Sequence, residues 1–161
     1  MSTRGAIARL TNVLPLRFAG RYHHWDAYPS GLGRTLWNLY HGHFQRDLNS
    51  MLRVLIDEHP AGWSSINGTS FTLTSGFHEW EPGIEPTDRP QCYCHGDRHE
   101  EEWLVTEENA AGSGVEWAYV FTSVGARNPT REGSIQRYDT MLVLSSLLPR
   151  RRQDDRPVRH G

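Results

Sequence analysis

Residues 4–10 pair apolar and polar positions with the short period of a strand, and Thr11 to Leu16, with Asn12 and Pro15, supply a turn. Residues 17–25 read as a second strand, so the two predict a hairpin. Side chains alternate across a strand. Phe18, Gly20, Tyr22 and His24 therefore share one face, and Arg21, His23 and Trp25 share the other. The first set is the more apolar and is expected to face the core, with His24 at its inner end.

After a loop at 26–33, rich in Pro and Gly, the period changes to that of a helix. Leu32, Leu36, Leu39 and Tyr40 fall on one face. Gly42 predicts a break. Phe44, Leu48, Met51, Leu52, Leu55 and Ile56 then form a second amphipathic stripe, which Pro60 and Gly62 end. Residues 61–91 show no sustained period, apart from a short strand expected at 71–74. From 75 to 91 the chain holds four acids, three prolines and two glycines, the composition of a lid or binding loop. Strands return at 102–107 and 115–123, and the Gly112-Ser113-Gly114 turn between them predicts a second hairpin. Residues 134–148 carry two overlapping patterns and read best as a strand followed by a helical turn. Strands and helices are segregated, so the expected class is α+β. We expect a mostly antiparallel sheet of about five strands, with two consecutive helices on one face.

The chain has 161 residues, 37% hydrophobic and 22% charged. This suits one globular domain, expected over 1–149. There is no membrane-length apolar run and no signal-peptide pattern, so a cytoplasmic location with no membrane partner is expected. All 17 basic residues are Arg. Without Lys there can be no P-loop, kinase or Schiff-base chemistry. Any anion must be held by Arg, backbone N–H groups or a metal. The charge is uneven: residues 150–161 are Arg-rich and carry +3, while 1–149 carry −5. A general nucleic-acid interface is therefore not expected on the body. The Arg150-Arg151-Arg152 tail, expected to be disordered, could meet nucleic acid or an acidic partner.

Two stretches concentrate polar chemistry. The first is Arg21-Tyr22-His23-His24-Trp25-Asp26-Ala27-Tyr28-Pro29. A carboxylate that accepts from one imidazole nitrogen raises the basicity of the other. His24 and Asp26 are thus a candidate acid–base pair, with Tyr28 beside them. Trp25 could stack on a planar ligand, and Arg21 could hold its anion. The opposing reading makes the same residues a structural corner. A third makes His23, His24, Asp26 and one of the later His residues metal ligands of a hydrolase.

The second stretch is Cys92-Tyr93-Cys94-His95-Gly96-Asp97-Arg98-His99-Glu100. Cys92, Cys94, His95 and His99 are four zinc-type ligands, although Cys-x-Cys is tighter than the usual Cys-x₂₋₄-Cys. The deaminase signature needs His-x-Glu and Pro-Cys-x-x-Cys. Here the text is His78-Glu79 and Pro90-Gln91-Cys92-Tyr93-Cys94, so that signature is excluded. Asp97 and Arg98 form a charged turn that could join the first stretch, with Arg98 as an anion fork. His41 and His43 sit at the end of the first predicted helix, where imidazolium suits the dipole.

The segment Tyr22-His23-His24-Trp25-Asp26-Ala27-Tyr28-Pro29, followed by Gly31 and Gly33, resembles a group of small phage, prophage and bacterial proteins. Their motif runs Tyr-Cys-His-Trp-Asp-Gly-Tyr-Pro. This chain has His23 in place of the Cys and Ala27 in place of the Gly. Gly96-Asp97-Arg98 and the 116–121 strand resemble later segments more loosely. The likeness implies a phage-type accessory or host-interaction role and supplies a site, not a reaction. The functional expectation is a small anionic ligand, a nucleotide or nucleotide-derived signal, bound at His24-Trp25-Asp26-x-Tyr28, with hydrolytic acid–base chemistry open. The alternatives are a protein-interaction module and the metal-dependent hydrolase.

Overall fold

The computed structural model describes residues 3–67, 90–93, 102–122, 135–138 and 140–145. The strands are β1 (Gly5–Asn12), β2 (Arg17–His23), β3 (Trp63–Ser65), β4 (Gln91–Cys92), β5 (Leu104–Thr106), β6 (Trp117–Phe121), β7 (Ile135–Tyr138) and β8 (Met141–Leu144). Between β2 and β3 lie α1 (Arg34–His41), entered through a π-helical turn at Pro29–Gly33, and α2 (Leu48–Leu52), which runs into a second π-helical turn at Arg53–Asp57. The class is α+β, with the two helical segments consecutive in the chain.

The sheet runs β4-β3-β2-β1-β6-β8-β7, and β5 shares the β3 side of β2. It is mixed and mostly antiparallel: β1 pairs β6 in parallel and β2 meets β3 in parallel, while the other five pairings are antiparallel. The expected hairpin forms over 5–23, with Gly5 opposite His23 and Ala8 opposite Gly20. Gly20 is required there, since a Cβ would strike the Ile7 carbonyl and Ala8 on the neighbouring strand.

Both faces of the sheet are covered. Ile7, Trp63, Tyr119, Phe121 and Val143 pack beneath Leu32, Leu36, Leu39, Met51, Leu55 and Ile56 of the helical layer. Ala6, Ala8, Phe18, Tyr22, Val120 and Leu142 form the other core with Val105, Ala110 and Val115. The second cover explains why β5 and β6 do not form the expected hairpin. β5 is antiparallel to β2 and β6 is parallel to β1, so β5 and β6 run in the same direction. Their connection must cross β2 and β1, and it does so while burying Ala110 and Val115. Helix-type turns hold it (Ala110 N–H to Thr106 O, 2.9 Å; Ser113 N–H to Asn109 O, 3.0 Å). Asn109 also bonds the Thr106 N–H and the Leu104 carbonyl, both at 2.8 Å. Residues 135–138 and 141–144 form a strand pair, β7–β8, where one strand was expected, and 146–148, where the helical turn would end, lie outside the described residues. Every residue of β8 is buried, which gives no polar face from which to read a period.

The helical layer is fastened at both ends of its second segment. Asp47 caps the start of α2 by accepting from the Ser50 N–H (3.1 Å) and the Ser50 hydroxyl (2.7 Å). These bonds hold its carboxyl below the ordinary range. At the other end, last-turn carbonyls need outside donors. Trp63 Nε1–H donates to Leu55 O (2.9 Å), and Arg21 Nε–H donates to Ile56 O (2.9 Å). The strand expected at 71–74, residues 75–89 of the expected 75–91 loop and the 150–161 tail lie outside the described residues, while Gln91 enters β4.

Candidate functional site

β2 leaves the sheet at His23 and reverses into α1 through a corner tied almost entirely by its backbone. The His24 and Trp25 N–H groups donate to Trp63 O and Ser64 O. Ala27 donates to Thr3 O, and its carbonyl accepts from the Tyr119 hydroxyl at 2.7 Å. That bond lies in the interior, and burial pushes the Tyr119 phenol up. Asp26 sits at φ +48°, a left-handed conformation that Asp tolerates better than most residues. Its carbonyl accepts from the Leu32 N–H (2.9 Å) and Asn67 Nδ2 (3.0 Å). Asn67 also bonds the Trp25 carbonyl and receives the Thr35 hydroxyl. It is the hub of the corner, and no signal in the sequence singled it out.

The two adjacent histidines occupy different surroundings. His23 is on the helix-side face and fully buried. Its Nε2 accepts from the Ile66 N–H at 3.0 Å, so the neutral ring carries its proton on Nδ1, which has no hydrogen-bond partner among the described residues. Burial, with His24 adding to it, lowers its pKa to about 3. His24 is on the opposite face with Tyr22, as alternation requires, but it is half-buried rather than interior. Its Nδ1 is 2.7 Å from the Tyr22 hydroxyl. Tyr22 stacks on Trp103 with ring centroids 4.1 Å apart and planes 4° apart. Burial raises the Tyr22 phenol, while burial and then the charge of Arg4 lower the His24 pKa. Both groups are therefore neutral at pH 7. With the phenol as donor to Nδ1, the imidazole proton sits on Nε2.

Arg4 belongs to this cluster although nothing in its sequence setting marked it. Its backbone carbonyl accepts from the Glu116 N–H, and its side chain lies over Gly114, where a Cβ would come within 2.9 Å of the guanidinium. Trp25 completes the group: its ring meets His24 edge-on at 4.7 Å, and 48% of the residue is exposed. Tyr22, His24, Trp25 and Trp103 thus form a connected aromatic cluster at one end of the sheet, and the charge of Arg4 acts on its Tyr22 and His24.

The other expected site residues are placed as follows. Asp26 is exposed and does not bond His24, whose Nδ1 is held by Tyr22 instead. Tyr28 is exposed at the start of the π-helical turn. Arg21 is buried and committed to Ile56 O and Glu102 Oε1 (3.1 Å). Asp97 and Arg98 lie outside the described residues.

The expected zinc site is corrected. Among the described residues no group of three or more His, Cys, Asp or Glu is placed to hold a metal. Cys92 is buried in the helix-side core, paired across from Trp63, while Cys94, His95 and His99 lie outside the described residues. His23, His24 and Asp26 likewise form no such group among the described residues. The two imidazoles project from opposite faces of β2, so they cannot converge on one ion.

Compared with protein-family models, curated proteins and solved structures, the chain matches none.

Proposed function

We propose that this protein is a cytoplasmic binding protein for a small planar anion, a nucleotide or nucleotide-derived signal, taken up by Arg4, His24 and Trp25. The observation that carries the reading is the 2.7 Å bond between the Tyr22 hydroxyl and His24 Nδ1. It fixes the imidazole and leaves Nε2–H as the donor, beside a guanidinium and an exposed indole. A phosphate would take the Arg4 fork and the Nε2–H, and a base would stack on Trp25. This role needs binding and no turnover, and the acid–base pair of His24 with Asp26 has no hydrogen bond to support it. A phage-type accessory setting rests on the motif at 22–29 alone.

The test is titration with nucleoside mono- and diphosphates, followed by tryptophan fluorescence and calorimetry, on the native chain and on Arg4→Gln and Trp25→Ala. Both side chains are exposed, so the variants should keep the native melting temperature while binding weakens at least ~10-fold. Absence of any nucleotide binding near ~1 mM, or undiminished binding by Arg4→Gln, rejects the reading.

A second reading makes the corner structural and the surface a protein-docking site. It is favoured by the saturation of the Asp26 and Ala27 carbonyls and by the exposure of Trp25, Tyr28 and Trp37. In that case nucleotides leave the fluorescence unchanged.

A further inference from the structure

We infer a second ligand site, separate from the His24 surface, that takes a single-ring aromatic carboxylate. It is a pocket of about 190 Å³ where α1 meets β6 and β8. Tyr119, Met141 and Val143 form the sheet side, and Pro29, Arg34 and Trp37 form the helical side.

The chemistry of the walls narrows the ligand. Pro29 has no N–H to offer. The Tyr119 hydroxyl is already spent on the Ala27 carbonyl. Met141 and Val143 are apolar. Polar recognition therefore falls to Arg34, which is exposed and whose guanidinium has no hydrogen-bond or ion-pair partner among the described residues. A guanidinium fork matches a carboxylate in two parallel bonds. Beside it, Trp37 is 41% exposed and gives the pocket an indole for ring stacking. One cation at the rim of an otherwise apolar recess calls for a ligand with one anionic end and a flat apolar body.

Size sets the body. An apolar cavity of ~150 Å³ accommodates benzene, so this recess has room for one six-membered ring with its carboxylate at the open side. That ligand is smaller than the one assigned to Arg4 and Trp25.

The probes are benzoate and phenylacetate, titrated against the ¹⁵N-labelled full chain and followed by amide and indole N–H shifts. Acetate supplies the charge without the ring, and benzyl alcohol the ring without the charge. Saturable shifts at Gly33, Arg34 and the Trp37 indole are expected with the two aromatic acids at about millimolar concentration or below, with much weaker responses to the two controls. Arg34→Gln should weaken benzoate about tenfold, and Trp37→Ala should weaken it by a similar factor. The same spectra report that each variant is folded. The inference is overturned by no saturation up to ~10 mM, by benzyl alcohol binding as tightly as benzoate, by shifts confined to the Arg4 and His24 region, or by an Arg34→Gln variant that binds as the native chain does.

Discussion

Acid should weaken this fold through His23, and the size of the effect follows from its burial. The ring is fully buried, with a pKa lowered from 6.5 to about 3. Because the folded-state value is depressed, the stabilisation is fully present above the unfolded value of 6.5 and is lost as pH falls toward 3. In that window the unfolded chain takes up a proton that the folded chain refuses. From pH 7 to pH 5 the linked loss of unfolding free energy is ~2 kcal/mol, at ~1.4 kcal/mol per pH unit once the unfolded imidazole is protonated. The assay is urea unfolding at both pH values, read by tryptophan fluorescence. The comparison is His23→Gln, whose amide oxygen can still accept from the Ile66 N–H but does not titrate. The native chain should lose ~2 kcal/mol more than the variant over this interval. His24 contributes alike to both proteins and cancels. Parallel pH dependences in the two proteins would refute the assignment of a buried neutral ring at 23.

Three further outcomes follow from other contacts. Gly20→Ala should destabilise the fold by about 1–3 kcal/mol in denaturant unfolding, since the added methyl meets the backbone of β1. Trp63→Phe keeps most of the buried ring but strands the Leu55 carbonyl, for an expected loss of about 1–3 kcal/mol by thermal unfolding. Tyr22→Phe removes the donor to His24 Nδ1. Nitrogen chemical shifts should then report mixed tautomers, and His24 should titrate at a higher pH than in the native chain.

The parts of the fold legible in the sequence are those where one face is buried and the other is wet. The 32–56 stripes meet that condition, whereas the 5–23 hairpin, covered on both faces, is legible from its turn residues and strand period. Alternation also placed Tyr22 and His24 on a common face. It failed to rank the faces, because the β5–β6 crossover covers the side the helices leave open. Arg21 and His23 look like solvent-facing residues by type, yet the first caps a helix end and the second lies in the core. β8 carries apolar residues on both faces and therefore shows no period. At the site, His24 and Trp25 could be found from their clustering in sequence. Arg4, Asn67 and Trp103 could not, because β-sheet pairing and the 102–116 crossover bring them there from distant segments.

The parallel pairing of Gly5–Arg9 with Trp117–Phe121 has a consequence during synthesis. β2 is available to one edge of β1 almost at once, but the strand for its other edge is translated more than a hundred residues later. At ~5–20 residues per second the open edge stays unpaired for on the order of ten seconds. Through that interval the nascent hairpin presents unpaired N–H and C=O groups flanked by Ala6, Ile7 and Ala8, a template for pairing with other chains. The yield of folded protein should therefore depend on ribosome speed and on holdase chaperones more than its final stability would suggest.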